Sequence, residues 1–204
     1  MKVVGVGCGP GMATEEAICI IRSASQIYGS RQAIERVAQY IPKDATICYS
    51  YDKKVLAELP DDAVVLSTGD PLMAGLGNLP SAVITPGISS MQLACARLNL
   101  SWEQLCIVNA HNTDHESAIL RVCRAIADSY TAFIIADPAF QISLLAEALS
   151  HTREDLCIAV CEDLGYPHER IACGTVHDPP VVMSSLFCVI VWIKEINNYS
   201  SPQL

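Results

Sequence analysis

Along the first half of the chain, short runs of β-branched and apolar residues alternate with segments whose apolar positions recur at helical spacing. Residues 2–6 (KVVGV), 25–29 (SQIYG), 45–50 (ATICYS), 62–68 (DAVVLST) and 81–86 (SAVITP) have the length and composition of buried strands. Residues 15–24, 30–41, 52–59 and 88–100 carry the three-to-four-residue apolar period of helices packed on one face. Thr14 is placed to cap the first helix, and Glu15 and Glu16 fall in its first turn, where negative charge is favoured. Strand followed by helix, repeated, predicts an α/β architecture with a mostly parallel sheet.

The rhythm changes near residue 105. Strands at 105–110 (LCIVNA), 131–137 (TAFIIAD) and 155–163 (DLCIAVCED) are separated by helices through 117–129 and 140–150. The last two apolar runs, 170–176 (RIACGTV) and 185–193 (SLFCVIVWI), have no long helix between them. Strands without a crossover helix predict antiparallel pairing, so the second sheet is expected to be mixed. The expected domains are residues 1–107 and 108–204, and the tail at 197–204 (NNYSSPQL) is expected to fray.

Composition narrows the function classes. With 51% apolar and 17% charged residues over 204, the chain can bury a sizeable core and lacks the composition of a long disordered segment. A net charge of −9 argues against nonspecific binding to nucleic acid or membrane headgroups, which needs a basic field. No apolar run reaches the roughly 18 residues of a membrane span. The first residues do not follow the signal-peptide pattern, so a cytoplasmic location is expected. None of the ten cysteines forms a C-x2-C pair, and most sit in apolar stretches as small hydrophobes. Cys157 and Cys161 share one face of a strand, but no histidine stands at ligand spacing, so no protein-bound metal is expected.

Candidate chemistry begins at residues 5–11 (GVGCGPG), where four glycines and a proline fall within seven residues directly after a strand. A dinucleotide, a triphosphate and a methyl donor are all compatible with a backbone stripped of side chains. The dinucleotide fingerprint needs a third glycine at position 10, which is Pro10, and a carboxylate ending the second strand, which ends YGSR. The phosphate-binding loop needs a Gly-Lys pair, and the chain has none. A glycine turn that only redirects the chain also stays open at this point. Two further glycine-bearing loops, 66–77 (LSTGDPLMAGLG) and 87–90 (GISS), also follow strands. In a parallel sheet the three loops share one edge, where ligands bind, and together they suggest one ligand held largely by main-chain groups.

Residues 4–11 (VGVGCGPG), 67–77 (STGDPLMAGLG) and 86–98 (PGISSMQLACARL) resemble the three N-terminal motifs of the tetrapyrrole methylases. The likeness continues through 135–149 (IADPAFQISLLAEAL) and 161–176 (CEDLGYPHERIACGTV). It implies a two-domain α/β fold with a cleft between the domains, and S-adenosylmethionine as co-substrate. Within the family the chain is most similar to the branch that methylates carbon 5 of cobalt-precorrin-7 in cobalamin synthesis. It would be the stand-alone form, without the C15-methylating and decarboxylating domain that some relatives carry. The chain departs from the family pattern in three places. Asn112 and Thr113 follow His111 where Gly and Arg are usual, Cys8 is inserted before Gly-Pro-Gly, and Met12 stands where an acidic residue is common.

The resemblance assigns donor contacts to Pro10, Thr68, Gly69, Asp70, Met73, Ser89 and Ser90, and to Ala136 and Leu164 in the second half. His111 is the candidate catalytic base, and Asp70 has the alternative role of a helix cap. Arg97, Arg121 and Arg124 are candidates for the carboxylates of a tetrapyrrole substrate. A homodimer is implied, as is association with a separate C15-methyltransferase/decarboxylase, with no nucleic-acid or membrane partner. Two other readings keep the same loops: a methyltransferase for another acceptor, such as the diphthamide precursor, and a non-catalytic nucleotide-binding scaffold.

Overall fold

A computed structural model of the chain describes residues 1–49, 52–74, 76, 77, 79 and 81–194. The tail expected to fray, together with Ser50 and Gly75 of the quoted motifs, lies outside the described residues. The chain divides into two compact units, Met1–Leu93 and Ala94–Leu204.

In the first unit, β1 (Lys2–Gly5), β2 (Gln26–Gly29), β3 (Thr46–Cys48), β4 (Val64–Ser67) and β5 (Val83–Thr85) form one sheet in the order β3-β2-β4-β1-β5. Every pairing in it is parallel. The connecting segments hold α1 (Glu15–Arg22), α2 (Arg31–Val37) with a 3-10 turn at Ala38–Tyr40, α3 (Lys53–Ala57) and the single turn α4 (Pro71–Ala74). A further helix, α5 (Ser90–Leu98), runs across the division between the units. The caps follow the sequence: Thr14 Oγ1 accepts from the Ala17 N–H at 3.1 Å, and Ser30 Oγ accepts from the Ala33 N–H at 3.2 Å.

The continuous apolar character of the β1 and β4 sequences has a direct cause: both faces of the sheet are covered. Val4, Val64 and Leu66 pack with Ala17 and Ile21 of α1 and Ile34 and Val37 of α2. Val3 and Val65 point the other way and pack with Leu56 of α3 and with Leu76. Because β1 lies between β4 and β5, with Gly5 opposite Ser67 and Val4 opposite Thr85, the chain leaves these three strands at adjacent points of one edge.

The second unit holds β6 (Leu105–Asn109), β7 (Thr131–Ile135), β8 (Leu156–Glu162), β9 (Arg170–Gly174) and β10 (Phe187–Ile193) in the order β6-β7-β10-β8-β9. The sheet is mixed. β6 and β7 are parallel and joined through α6 (His115–Ala127), while β10 runs antiparallel to β7 and to β8, and β9 antiparallel to β8. Its main core gathers Val108, Ile134, Ile158, Val160, Val189 and Val191 with residues of α6 and of α7 (Ile142–Ser150). Cysteines cluster on the other face of this sheet, while Cys106 of β6 packs on the main-core side. Cys157 and Cys161 lie on one face of β8, and Cys188 pairs opposite Cys161. On α5, burial pushes the Cys95 thiol up to about 11, with Cys161 adding to the effect, so Cys95 behaves as a protonated hydrophobe.

Candidate functional site

Three loops leave the adjacent ends of β4, β1 and β5, and they bond to one another. Gly7 and Gly69 exchange main-chain hydrogen bonds, N–H of Gly69 to O of Gly7 at 2.8 Å and the reverse at 3.3 Å. The Val6 N–H donates to Ser67 O at 2.9 Å, and the Cys8 N–H donates to Ile88 O at 2.8 Å. Asp70 adds a side-chain tie: Oδ1 accepts from the Leu72 N–H at 2.8 Å, and Oδ2 accepts from the Gly87 N–H at 3.1 Å. The residues expected to share one edge are therefore together in this unit: the Pro10 loop, Thr68 to Asp70, and Gly87 to Ser90.

The glycines do different jobs. A Cβ on Gly87 would stand 2.3 Å from Gly69 O and 2.8 Å from Gly5 C, and a Cβ on Gly5 would stand 2.6 Å from Gly87 N. These two glycines are required by the approach of the three backbones, not by open space for a ligand. Gly11 is the opposite case: its φ is +74°, and nothing lies within 4 Å of where its Cβ would be. Pro10 and Gly11 are both exposed.

Several of the selected residues have partners of their own. Ser89, the residue before α5, forms a reciprocal cap with Gln92: the Gln92 N–H donates to Ser89 Oγ at 3.2 Å, and the Ser89 N–H donates to Gln92 Oε1 at 2.7 Å. The Met73 N–H donates to Asp70 O at 3.1 Å. Thr68 and Ser90 are half-buried, and the Thr68 hydroxyl has no hydrogen-bond partner among the described residues. Sequence reasoning missed Arg36. From α2, its guanidinium donates to Gly7 O at 2.7 Å, so a cation is fixed against the first glycine loop. A lone arginine near the end of a helix carries no pattern that announces such a reach.

In the second unit, β6, β7 and β8 run in the same direction, so their C-terminal ends lie along one edge. His111, Ala136 and Leu164 follow those three ends. Ala136 and Leu164 are buried and His111 is exposed. The His111 N–H donates to Asn109 Oδ1 at 3.0 Å, while its ring has no hydrogen-bond partner among the described residues. Its neighbour His115 is the tethered one. His115 Nε2 lies 3.1 Å from Asp137 Oδ2, and its ring meets Phe140 edge-on at 5.3 Å. Asp137 also accepts from the N–H groups of Asn112 at 3.0 Å and Ala139 at 2.9 Å. Burial alone would raise the Asp137 carboxyl, but these N–H groups and the His115 ring hold it below the usual carboxylate range. Asp137 thus organises the loop after β6, a role that the sequence did not disclose.

Among the described residues, no three His, Cys, Asp or Glu side chains gather as a metal-binding group, and no helix is long and apolar enough to cross a membrane.

The sequence profile of a family described as Tetrapyrrole (Corrin/Porphyrin) Methylases matches residues 2–180. The chain is 27% identical over 207 residues to the precorrin-6Y C(5,15)-methyltransferase [decarboxylating] of Mycobacterium tuberculosis, covering 93% of this chain and 51% of that protein. It is 32% identical over 130 residues to a probable cobalt-precorrin-7 C(5)-methyltransferase of Methanocaldococcus jannaschii, covering 53% of this chain and 60% of the relative. The chain therefore spans about half the length of the curated relatives it matches. Among solved structures, a precorrin-6Y methylase from Archaeoglobus fulgidus is 28% identical with a TM-score of 0.72, covering 95% of this chain and 97% of that one. A uroporphyrin-III C-methyl transferase from Thermus thermophilus, solved with S-adenosylhomocysteine, shares the fold at 19% identity and a TM-score of 0.73, covering 94% of this chain and 96% of that one.

Proposed function

The chain belongs to the tetrapyrrole methylase family, and from that premise we propose that it transfers a methyl group from S-adenosylmethionine to carbon 5 of cobalt-precorrin-7. The observation that carries the donor part is the junction of three glycine loops at the ends of β4, β1 and β5. The acceptor part is supported by the activities for which the two relatives are named, both of which include C5.

Methyl transfer from a sulfonium to carbon is an in-line displacement. The acceptor carbon supplies the electron pair of the new C–C bond, and the C–S bond breaks. Sulfur keeps its pair as the neutral thioether of S-adenosylhomocysteine, and the methylated ring then sheds one proton. The donor is already activated, so the protein's task is to position the two reactants and exclude water. Pro10, Thr68, Gly69, Asp70, Met73, Ser89 and Ser90 are assigned to the donor, with Ala136 and Leu164 on the adenine side. Asp70 and Ser89 serve this task first by holding the loops, because their oxygens already accept main-chain N–H groups. The Thr68 hydroxyl and the open side of Gly11 are uncommitted and offer direct contact. His111, exposed and with an unpartnered ring, is assigned to take the proton. The same proposal takes residues 1–107 as the donor-binding half and 108–204 as the second half. It also takes the active form as a cytoplasmic homodimer, associated with a separate enzyme for C15.

Thermal unfolding with S-adenosylhomocysteine, NAD and ATP tests the donor. Ligand at about 100 times its dissociation constant adds roughly 2.7 kcal/mol, a rise of about 5–10 °C for a chain of this size. The rise is expected with S-adenosylhomocysteine alone, and a rise with NAD or ATP instead would overturn the assignment. Incubation with cobalt-precorrin-7 and isotopically labelled donor tests the acceptor. One added methyl at carbon 5 is expected, and label at another carbon would replace the regiochemistry while keeping the family.

A further inference from the structure

The three arginines singled out by sequence for an anionic substrate are separated by the structure. Arg97 is committed: its Nε lies 2.6 Å from Glu169 Oε1. Arg124 is exposed near the end of α6 and is not among the residues that line the pocket holding Arg121. Arg121 faces an open pocket of about 220 Å³, lined also by Asn109, Thr113, Asp114, Ser117 and Ala118. The pocket lies against the first turns of α6, beside the end of β6.

The donors in this pocket are unspent. Arg121 has no hydrogen bond or ion pair among the described residues, and neither has the Ser117 hydroxyl. Asn109 Oδ1 accepts from the His111 N–H, which leaves the Asn109 NH₂ group free to donate. One acidic group shares the space. Asp114 caps α6 by accepting from the Ser117 N–H at 3.2 Å, so one carboxylate oxygen is turned to the helix end. A guanidinium, an amide NH₂ and a hydroxyl around one small cavity match a carboxylate, which accepts two to four such bonds. The volume is below the roughly 300 Å³ at which pockets enclose a whole drug-sized ligand, so the pocket has room for one acid arm and not for a macrocycle.

We propose that the Arg121 pocket is a carboxylate subsite that takes one acid side chain of the polyanionic acceptor, with Arg121 as the charged contact and Asn109 and Ser117 as hydrogen-bond donors. This rests on the reading of the chain as a precorrin methyltransferase. It also accounts for the acceptance of an anion by a chain of net charge −9, because recognition needs only a local cation where the acid arm lands.

Uroporphyrin III, a stable tetrapyrrole with acetate and propionate arms, is the probe. Its binding is followed by absorbance and fluorescence titration to the wild type and to Arg121→Gln, Arg124→Gln and Asp114→Asn. Arg121→Gln should weaken binding roughly tenfold, the loss of one charge-assisted contact. Arg124→Gln should change it by less than about twofold, because Arg124, though exposed like Arg121, does not line the pocket. Asp114→Asn keeps a good helix cap and removes the negative charge beside Arg121, so it should tighten binding by roughly two- to fivefold. A purely structural role for these residues would not give opposite signs at positions 114 and 121. Wild-type protein that does not bind uroporphyrin overturns the proposal, as does equal weakening by Arg121→Gln and Arg124→Gln. Stabilisation by S-adenosylhomocysteine is read in the same samples and should be unchanged in every variant. If the wild type bound uroporphyrin at this pocket but not S-adenosylhomocysteine, the methyltransferase reading would fail and the subsite would stand.

Discussion

Replacing Gly87 with alanine tests whether the glycine junction is a packing device. The new Cβ would sit 2.3 Å from Gly69 O, where ordinary contact begins at 3.4 Å. The difference, 3.4 − 2.3 = 1.1 Å, must be made up by backbone on both sides, because the obstructing atoms are a carbonyl oxygen and the main chain of Gly5. A separation of that size strains or breaks the paired Gly7–Gly69 hydrogen bonds and the Gly87–Asp70 tie, which now measures 3.1 Å. Overpacking costs about 1–3 kcal/mol and each lost hydrogen bond about 0.5–1.5 kcal/mol, so roughly 3–5 kcal/mol is expected. At about 2–4 °C per kcal/mol the melting temperature should fall by on the order of 10 °C. Gly11→Ala is the contrasting variant. It meets no atom within 4 Å and bears only the left-handed backbone at φ +74°, a cost of about 1–2 kcal/mol. Its larger effect should be on S-adenosylhomocysteine affinity, since the methyl enters the open side of the loop. Both are read by calorimetry and titration. A Gly87→Ala protein that melts within about 2 °C of wild type would refute the packing argument.

Glu162 is 1% exposed and accepts from the N–H groups of Met183 and Ser184 and from Arg170. Glu162→Gln should cost about 2–4 kcal/mol, less than for a fully buried pair because Arg170 is partly exposed, seen as a lower urea midpoint at unchanged slope. Burial would raise the Glu162 carboxyl, but its N–H and guanidinium partners hold it below the usual range, as Asp137 is held. Both carboxylates therefore bind protons more readily unfolded than folded. Their contribution is complete above the ordinary carboxylate range near about pH 4 and is lost as pH falls through the lowered values. Stability should drop as pH falls below about 4, and Asp137→Asn should flatten that slope; an unchanged slope counts against it. Ser67 Oγ is buried without a hydrogen-bond partner among the described residues, so Ser67→Ala should leave stability unchanged or raise it by about 1 kcal/mol. A clear loss would mean that the hydroxyl is satisfied.

The fold was legible because burial on two faces leaves a mark on composition. β1, β4, β8 and β10 are almost wholly buried, and their sequences are dominated by apolar residues, with polar residues such as Lys2, Ser67 and Glu162 only at their ends. The absence of a long helix between residues 170 and 193 likewise foretold a mixed sheet, although β9 and β10 do not pair with each other: each runs antiparallel to β8, which lies between them. Contacts between residues far apart in sequence were not legible. Arg36 to Gly7, Asp137 to Asn112 and Glu162 to Met183 each join a residue of ordinary local character to a loop that only the topology brings near.

The glycine loops show why the candidate site was only half readable. A sequence records that a side chain is excluded but not which neighbour excludes it. At Gly5 and Gly87 the neighbour is the protein's own backbone, and at Gly11 there is no neighbour at all. Three loops proposed to hold a ligand through main-chain groups first hold each other, and that spends some of the polar atoms nearby. Asp70 and Ser89, which resemblance marks as donor contacts, are spent in this way: one ties Leu72 and Gly87, and the other caps α5 with Gln92. A mutation at either would weaken binding through loop geometry even if the donor never touched it. Direct contact is tested better at groups that the fold leaves uncommitted, the Thr68 hydroxyl and the open face of Gly11. Neither holds the junction together, so a loss of affinity there, without loss of stability beyond the small backbone cost at Gly11, reports on the ligand itself.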